Sequence, residues 1–244
     1  MFFHEKIRSI KRSDYVLDVG PGYTPFYRSD VLLEKVFDDD KVALKQTGSS
    51  KKVDLKKKIV YFSEDNFPFE DGEFDYVICS HVLEHIPKLE LPHFFKEFQR
   101  VSSRGGYVEV PSYIYELFRN IELHLSLVYA DQDNKLHFLY KEDLDLESRS
   151  YKMLKELLVK FGINSRVIGL NHHVFGYGFE HKNDISYEIH EDADSFFSMI
   201  SDEISYSYIK LNKDVGYYYM KILRQFEPNV FKQKIYNRLK ISLK

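Results

Sequence analysis

The stretch YVLDVGPGYTPFYRSDVLLEK, residues 15–35, constrains the fold of this chain more than any other. Two apolar runs, YVLDVG (15–20) and DVLLEKVF (30–37), flank a short link that contains glycine. Continuous apolar runs of this length are expected of strands covered on both faces. Strands of that kind pair in parallel, and a parallel pair needs a crossover. Gly22 and Glu34 are only twelve residues apart, so a crossover helix here has a turn or two at most. The link opens on Gly20-Pro21-Gly22. Glycines at such a place let the chain turn sharply while its backbone comes close to a ligand.

Two details separate this loop from a dinucleotide fingerprint. Asp18 lies inside the first apolar run, where a carboxylate is costly to bury without a partner; a cationic ligand group is one candidate. Pro25 stands where the fingerprint has a further small residue for close helix packing, which argues against a pyrophosphate as the main ligand. The acid that would hold ribose hydroxyls comes at the end of the second strand. Glu34 is the first choice, because DVLLE is the cleaner run, and Asp38 competes if the strand runs longer. Both come earlier than the roughly 20-residue spacing of the dinucleotide pattern.

Elements of two periods alternate onward, as in an α/β parallel sheet. KKIVYFS (57–63), FDYVICS (74–80) and GGYVEVPS (105–112) read as strands three to five. Between the last two, Phe94, Phe95, Phe98 and Val101 fall on one face of a helix. YKMLKELLVKFGINSRVIGL (151–170) reads as a helix ended near Gly162 and a sixth strand, and NDISYEIHED (183–192) alternates like a seventh. Residues 113–150 break the pattern and read as a cap insertion, with a hairpin of LHLSLVY and KLHFLYK around ADQDN. The expected organisation is one domain over 1–200 with a helical extension over 201–244. In that tail Phe231, Ile235 and Leu239 recur four apart among Lys232, Lys234, Arg238 and Lys240. Such a helix docks on its own domain or contacts a membrane surface or partner.

Composition narrows the function. A net charge of −3 and a pI near 6.4 argue against a nucleic-acid binder. The single cysteine, Cys79, excludes a disulfide framework. No run approaches the ~20 apolar residues of a membrane span. The opening MFFHEKIRSIKR has charges where a signal peptide is apolar, so a cytoplasmic location is expected.

In an open α/β sheet, ligands lie across the C-terminal strand edges. The loops after Ser63 and Ser80 therefore face the loop after Val19. Ser63 and Glu64 are placed to read a base edge, and residues 79–81 to line the reacting centre. Taken in order, VLDVGPG, DNFPFEDGEFDYVICSHVLEHI and FFKEFQRVSSRGGYVEVPS resemble the class I S-adenosylmethionine-dependent methyltransferases, type 11 small-molecule group, over about residues 14–112. The resemblance implies a doubly wound, mostly parallel seven-stranded sheet whose last strand is antiparallel. It also implies S-adenosylmethionine over Gly20 and Gly22 with its ribose at Glu34. The family has an acid where Ser63 stands, which leaves Glu64 or Asp65 to meet the adenine amino group.

Methyl transfer from a sulfonium is an in-line displacement that often needs a proton removed from the acceptor. SHVLEH offers His81, Glu84 and His85, which share a face if helical and suit a divalent ion. Relatives carry Leu-Glu-His without metal, so no metal is expected, and His81 is read as catalytic or positioning. A histidine at the distance of His124 beyond the fifth strand's Pro-Ser recurs in the related subset, which makes His124 the base candidate and His137 the next. Glu109 and Ser112 line the acceptor side, and NHHVFGYGFEH (171–181) either closes the cleft or forms a structural loop. The expected activity is methylation of an oxygen or nitrogen on a small metabolite or glycan intermediate. Relatives of the short-helix subset in surface-polysaccharide pathways point to the glycan. The rivals are a methyltransferase-like binding protein without catalysis and, less well supported by Pro25 and the short crossover, a nicotinamide oxidoreductase.

Overall fold

A computed structural model of the chain describes residues 3–22, 24–36, 57–62, 66–144, 176–182 and 184–200. The chain divides into two compact units, Met1–Phe196 and Phe197–Lys244. The first is built on a sheet of strands β1 (Val16–Val19), β2 (Val31–Lys35), β3 (Lys58–Phe62), β4 (Tyr76–Ser80), β5 (Gly106–Pro111) and β8 (Gly176–His181). Their order is β3-β2-β1-β4-β5-β8, all neighbours parallel except β5 and β8. The order reverses between β1 and β4, so the loops after these two strands flank the crevice where ligands bind in such sheets. A smaller sheet holds β6 (Ser126–Ala130), β7 (Leu136–Tyr140) and β9 (Tyr187–His190).

Burial follows from this order. Every residue of β1 and β5 is buried, as both-face coverage demands, whereas β3 at the edge exposes Lys58 and Tyr61. On one face, Leu17, Val19, Val77, Cys79, Val108 and Val110 pack against helix α1 (Leu91–Arg100) through Leu91, Phe95 and Phe98, followed by Val101. Glu97, also on α1, is buried but partnered. It accepts the Phe67 amide at 2.8 Å and a two-pronged contact from Arg100 at 2.7 and 2.8 Å. Arg100 also donates to the carbonyls of Phe67 and Phe69, which pins the segment before β4 to the helix.

The opposite face is covered differently. Between β1 and β2 no helix occurs among the described residues, within the limit of a turn or two that the short link sets. Phe26 from this crossover and Phe3 from the N-terminal segment cover Val16, Tyr76, Ile78 and Tyr107, with Ile7 and Ile10 alongside. Phe3 is fully buried, which contributes about 2–3 kcal/mol. Its amide donates to Glu109 Oε2 at 2.9 Å, and Glu180 of β8 accepts from Arg8, Ser9 and Tyr76. The N-terminal segment thus covers sheet surface that the crossover leaves open.

Two strand expectations need correction. Residues 176–181, read as a cleft-closing or structural loop, are the antiparallel strand β8. Residues 187–190, read as a seventh strand of the main sheet, instead pair with β7 in the smaller sheet. The described main sheet therefore has six strands. The hairpin forms as expected, with Leu127 opposite Leu139 and a turn tied by Asp131 Oδ1 to the amides of Asp133 and Lys135. The expected helix and strand of 151–170 and the helical tail of 201–244 lie outside the described residues.

Candidate functional site at the strand edges

The glycine turn after β1 is held from three sides. Gly20 and Gly22 have φ of 60° and 52°, a region that glycine adopts without penalty. The Gly20 amide donates to the Leu33 carbonyl at 2.8 Å. The Gly22 amide donates to Glu34 Oε1 at 2.7 Å, so the acid at the end of β2 and the glycine loop are one structural unit. Val82, from the loop after β4, closes over Gly20: a Cβ built there would lie 2.7 Å from Val82 Cγ2. Burial raises the Glu34 pKa, while the Gly22 amide works the other way.

Asp18 is also spoken for. Its Oδ2 accepts from the Phe26 amide at 2.8 Å and the Ser29 hydroxyl at 3.1 Å, so the buried acid organises the helix-free crossover. Burial pushes its pKa up to about 7, against the pull of those two hydrogen bonds. The sequence shows the buried acid but not that its donors stand eight and eleven residues further on. Ser63 and Glu64 lie outside the described residues.

Across the crevice, Ser80 ends β4 and its hydroxyl donates to Glu109 Oε1 at 3.0 Å. His81 follows with φ of 57°, unusual for a residue with a side chain. Its amide continues the ladder to the Glu109 carbonyl at 2.8 Å. The imidazole lies between two buried carboxylates, Nε2 at 3.0 Å from Glu109 Oε1 and Nδ1 at 3.4 Å from Glu84 Oε1. Burial opposes a charge on His81, but the two carboxylates outweigh it and push the pKa up to about 9. A histidine protonated through neutral pH does not accept a proton from a substrate. His81 is better suited to positioning and charge balance than to general base work.

Leu83–His85 form a 3-10 turn, and His81 stands outside it, so the expected helix face of His81, Glu84 and His85 does not exist as such. Glu84 and His85 instead meet His124 from the cap. Helix α2 (Tyr113–Arg119) starts at a Ser112 N-cap and ends at Asn120, whose φ of 40° reverses the chain. The Leu125 amide then donates to the Glu84 carbonyl at 2.7 Å, fixing the cap against the loop after β4. His124 therefore sits just ahead of β6, not within the hairpin. Its Nδ1 is paired with Glu116 Oε1, and Lys141 donates to Glu116 Oε2 at 2.9 Å. The His85 Nδ1 donates to the Leu123 carbonyl at 2.9 Å, and the two imidazoles meet edge to face at 4.6 Å. Burial lowers the His85 pKa, with Glu84 opposing. Burial also works against the charge of Glu84, yet the facing imidazoles prevail and hold its pKa below the usual carboxylate range. Sequence reasoning missed Glu116 and Lys141. The Asn120 cap, which folds residue 124 back onto residue 116, was the available signal.

The remaining candidates separate. Ser112 caps α2 and is buried, Glu109 joins Ser80 and His81, and His137 points to a second cluster on the small sheet with His190 and Asp131. No helix among the described residues is long and apolar enough to cross a membrane.

A family described as methyltransferase domain matches residues 17–110, from β1 through β5. A protein of Pyrococcus horikoshii OT3 is similar at 21% identity over 72% of this chain and 84% of its own, with a TM-score of 0.38. An S-adenosylmethionine-dependent methyltransferase of Mesorhizobium loti is similar at 11% identity over 69% and 91%, with a TM-score of 0.33. One of Methanosarcina mazei is similar at 17% identity over 51% and 70%, with a TM-score of 0.31. No curated protein matches the chain.

Proposed function

We propose that residues 17–110, which match a methyltransferase domain, act as a class I S-adenosylmethionine-dependent methyltransferase, and that the chain methylates an oxygen or nitrogen of a small metabolite or glycan intermediate. The methyl donor is S-adenosylmethionine. The residues present suit it. Glu34 accepts only one amide among the described residues, so its carboxylate keeps acceptor capacity at the strand edge for a vicinal diol. Neither Gly20 nor Gly22 adds a side chain of its own to the turn, and Val82 already fills the space a Cβ at Gly20 would take. Asp18 keeps the crossover in place, and Ser80 serves Glu109 and does not itself need to touch the donor.

The observation that carries the acceptor side is the meeting of Glu84, His85 and His124 beside the crevice. Both rings have Nδ1 tied to an acceptor, which leaves each Nε2 as a Lewis base when the ring is neutral. Such groups assist methyl transfer by lowering the hold of the acceptor on its proton. His124 is the residue on which that step depends, and His81 with Glu109 orients the loop. Lys88, Lys135 and Lys141 are each paired with carboxylates, which leaves these cations engaged and not offered to a polyanion; this supports a small acceptor over a nucleic acid. Contact of residues 201–244 with a membrane surface or partner stays part of the proposal.

The test is release of adenosylhomocysteine in a screen of hydroxyl- and amino-bearing metabolites and nucleotide sugars. Turnover with one class names the acceptor. Tight donor binding without turnover on any class would defeat the enzymatic reading in favour of a binding protein.

A further inference from the structure

The carboxylate of Glu84 poses a problem that the described residues leave unsolved. The side chain is fully buried, yet no hydrogen-bond donor among the described residues satisfies either Oε1 or Oε2. Its neighbours are the His81 Nδ1 at 3.4 Å and the His124 Nε2 at 4.0 Å, both nearest to Oε1. A buried carboxylate in this state costs several kcal/mol unless a cation balances it, and His81, the imidazolium beside it, is shared with the second buried carboxylate of Glu109.

The surrounding histidines are arranged as if for such a cation. Ligand atoms of Glu84, His85 and His124 all lie within 4.8 Å of one another. A zinc-sized ion with bonds of about 2.0–2.2 Å would draw its ligands to about 3–3.5 Å apart, a contraction that side-chain rotation supplies. Histidines that ligate metal donate their other ring N–H to a carbonyl or carboxylate, which fixes the tautomer. His85 does so to the Leu123 carbonyl, and His124 does so to Glu116, itself held by Lys141. Both outer partners are acceptors without a proton to give, so the free lone pairs are those of the two Nε2 atoms.

A second histidine cluster shows the contrast. His137 Nδ1 and His190 Nε2 are 3.1 Å apart and can satisfy each other, Asp131 meets the His137 Nε2 at 3.3 Å, and Lys135 balances the half-exposed Glu188. No orphaned acid calls for a cation there.

We propose that Glu84, His85 and His124 bind one divalent transition-metal ion, and that this ion holds the acceptor oxygen for methyl transfer. Two imidazoles and one carboxylate occupy three positions and leave others open, the pattern of a catalytic site and not of a closed structural one. That the reaction is methyl transfer rests on the reading given under Proposed function, with the ion in place of the His124 Nε2 as the group that loosens the acceptor's proton; the metal site itself does not rest on it. A hydroxyl on the ion gives its proton to water, since the metal lowers its pKa. The resulting oxygen then attacks the methyl carbon: the C–O bond forms, the C–S bond breaks, and its electron pair stays on sulfur as the neutral thioether.

The experiment uses the full chain freed of metal by chelator, without donor or acceptor, so its outcome does not depend on turnover. Zn2+ is titrated by calorimetry, and Co2+ is added in parallel to read the visible absorption of an imidazole-ligated ion. One ion per chain is expected. His85→Ala and Glu84→Gln should each weaken Zn2+ at least 30-fold, and His190→Ala should leave it unchanged. Glu84→Gln has the shape of the parent and keeps the test decisive should the alanine variant not fold. Absence of stoichiometric Zn2+ and Co2+ binding, or loss of the site in His190→Ala with retention in Glu84→Gln, overturns the proposal.

Discussion

Replacing Gly20 by alanine probes the contact that joins the glycine turn to the loop after β4. An L-residue at φ of 60° costs about 1–2 kcal/mol in the left-handed region. The new methyl would also meet Val82 Cγ2 at 2.7 Å. Valine is stiff about its first side-chain torsion, so the clash is relieved by moving backbone, an overpacking cost of about 1–3 kcal/mol. The expected loss is therefore about 2–5 kcal/mol. In a Val82→Ala background the clash term goes and only the backbone term of about 1–2 kcal/mol remains. A double-mutant cycle in urea, with midpoints compared at constant slope, isolates the difference. Donor affinity, read by calorimetry on the same four proteins, should fall with the single Gly20→Ala change, because the turn also carries the Gly22 amide that meets Glu34. An equal cost of Gly20→Ala in both backgrounds would refute the contact with Val82. No cost in either would refute the backbone conformation.

Other perturbations test separate parts of the account. Asp18 has a folded pKa of about 7 and an unfolded pKa of about 3.9. Its contribution is fully present below about pH 4 and is lost as pH rises through about 7, at no more than about 1.4 kcal/mol per pH unit. Asp18→Asn keeps an acceptor for the Phe26 amide and should flatten that slope in urea midpoints taken across the window; an unchanged slope assigns the pH dependence elsewhere. Arg100→Met leaves the Glu97 carboxylate, 5% exposed, without its cation. The expected loss of about 2–3 kcal/mol is below that of a fully buried pair because Arg100 is partly solvated. Adding Glu97→Gln should recover part of it, and a fully additive double variant would count against the pairing.

What the sequence discloses and what it hides follow from range. The strands from β1 to β5 and the apolar face of α1 are local patterns, short apolar runs and a period near four, and they stand where those patterns put them. Gly20, Gly22 and Glu34 come together because a strand–turn–strand unit brings the ends of adjacent parallel strands side by side. That residues 176–181 complete the main sheet while 187–190 join the smaller one was not legible. Both stretches alternate, and the choice of sheet depends on partners far away in the chain, Gly106–Pro111 for one and Leu136–Leu139 for the other. The N-terminal cover is hidden for the same reason, since Phe3 acquires its meaning only from Glu109 and Tyr107. His124 was visible as a base candidate, but its surroundings were not. Glu116, the Asn120 reversal and the Leu125 contact to Glu84 give it an orientation that no spacing rule contains.

The central claim is that the acid at the end of β2 and the bare turn beside it hold the methyl donor. Calorimetric titration of adenosylhomocysteine into the parent chain and into Glu34→Gln tests it directly. Glutamine can still accept the Gly22 amide, so the turn is preserved while the charged acceptor for the ribose hydroxyls is removed. The account predicts one nucleoside per chain for the parent and at least a tenfold weaker association for the variant, about 1.4 kcal/mol or more. Equal affinity in the two proteins, or no binding by the parent, would contradict it.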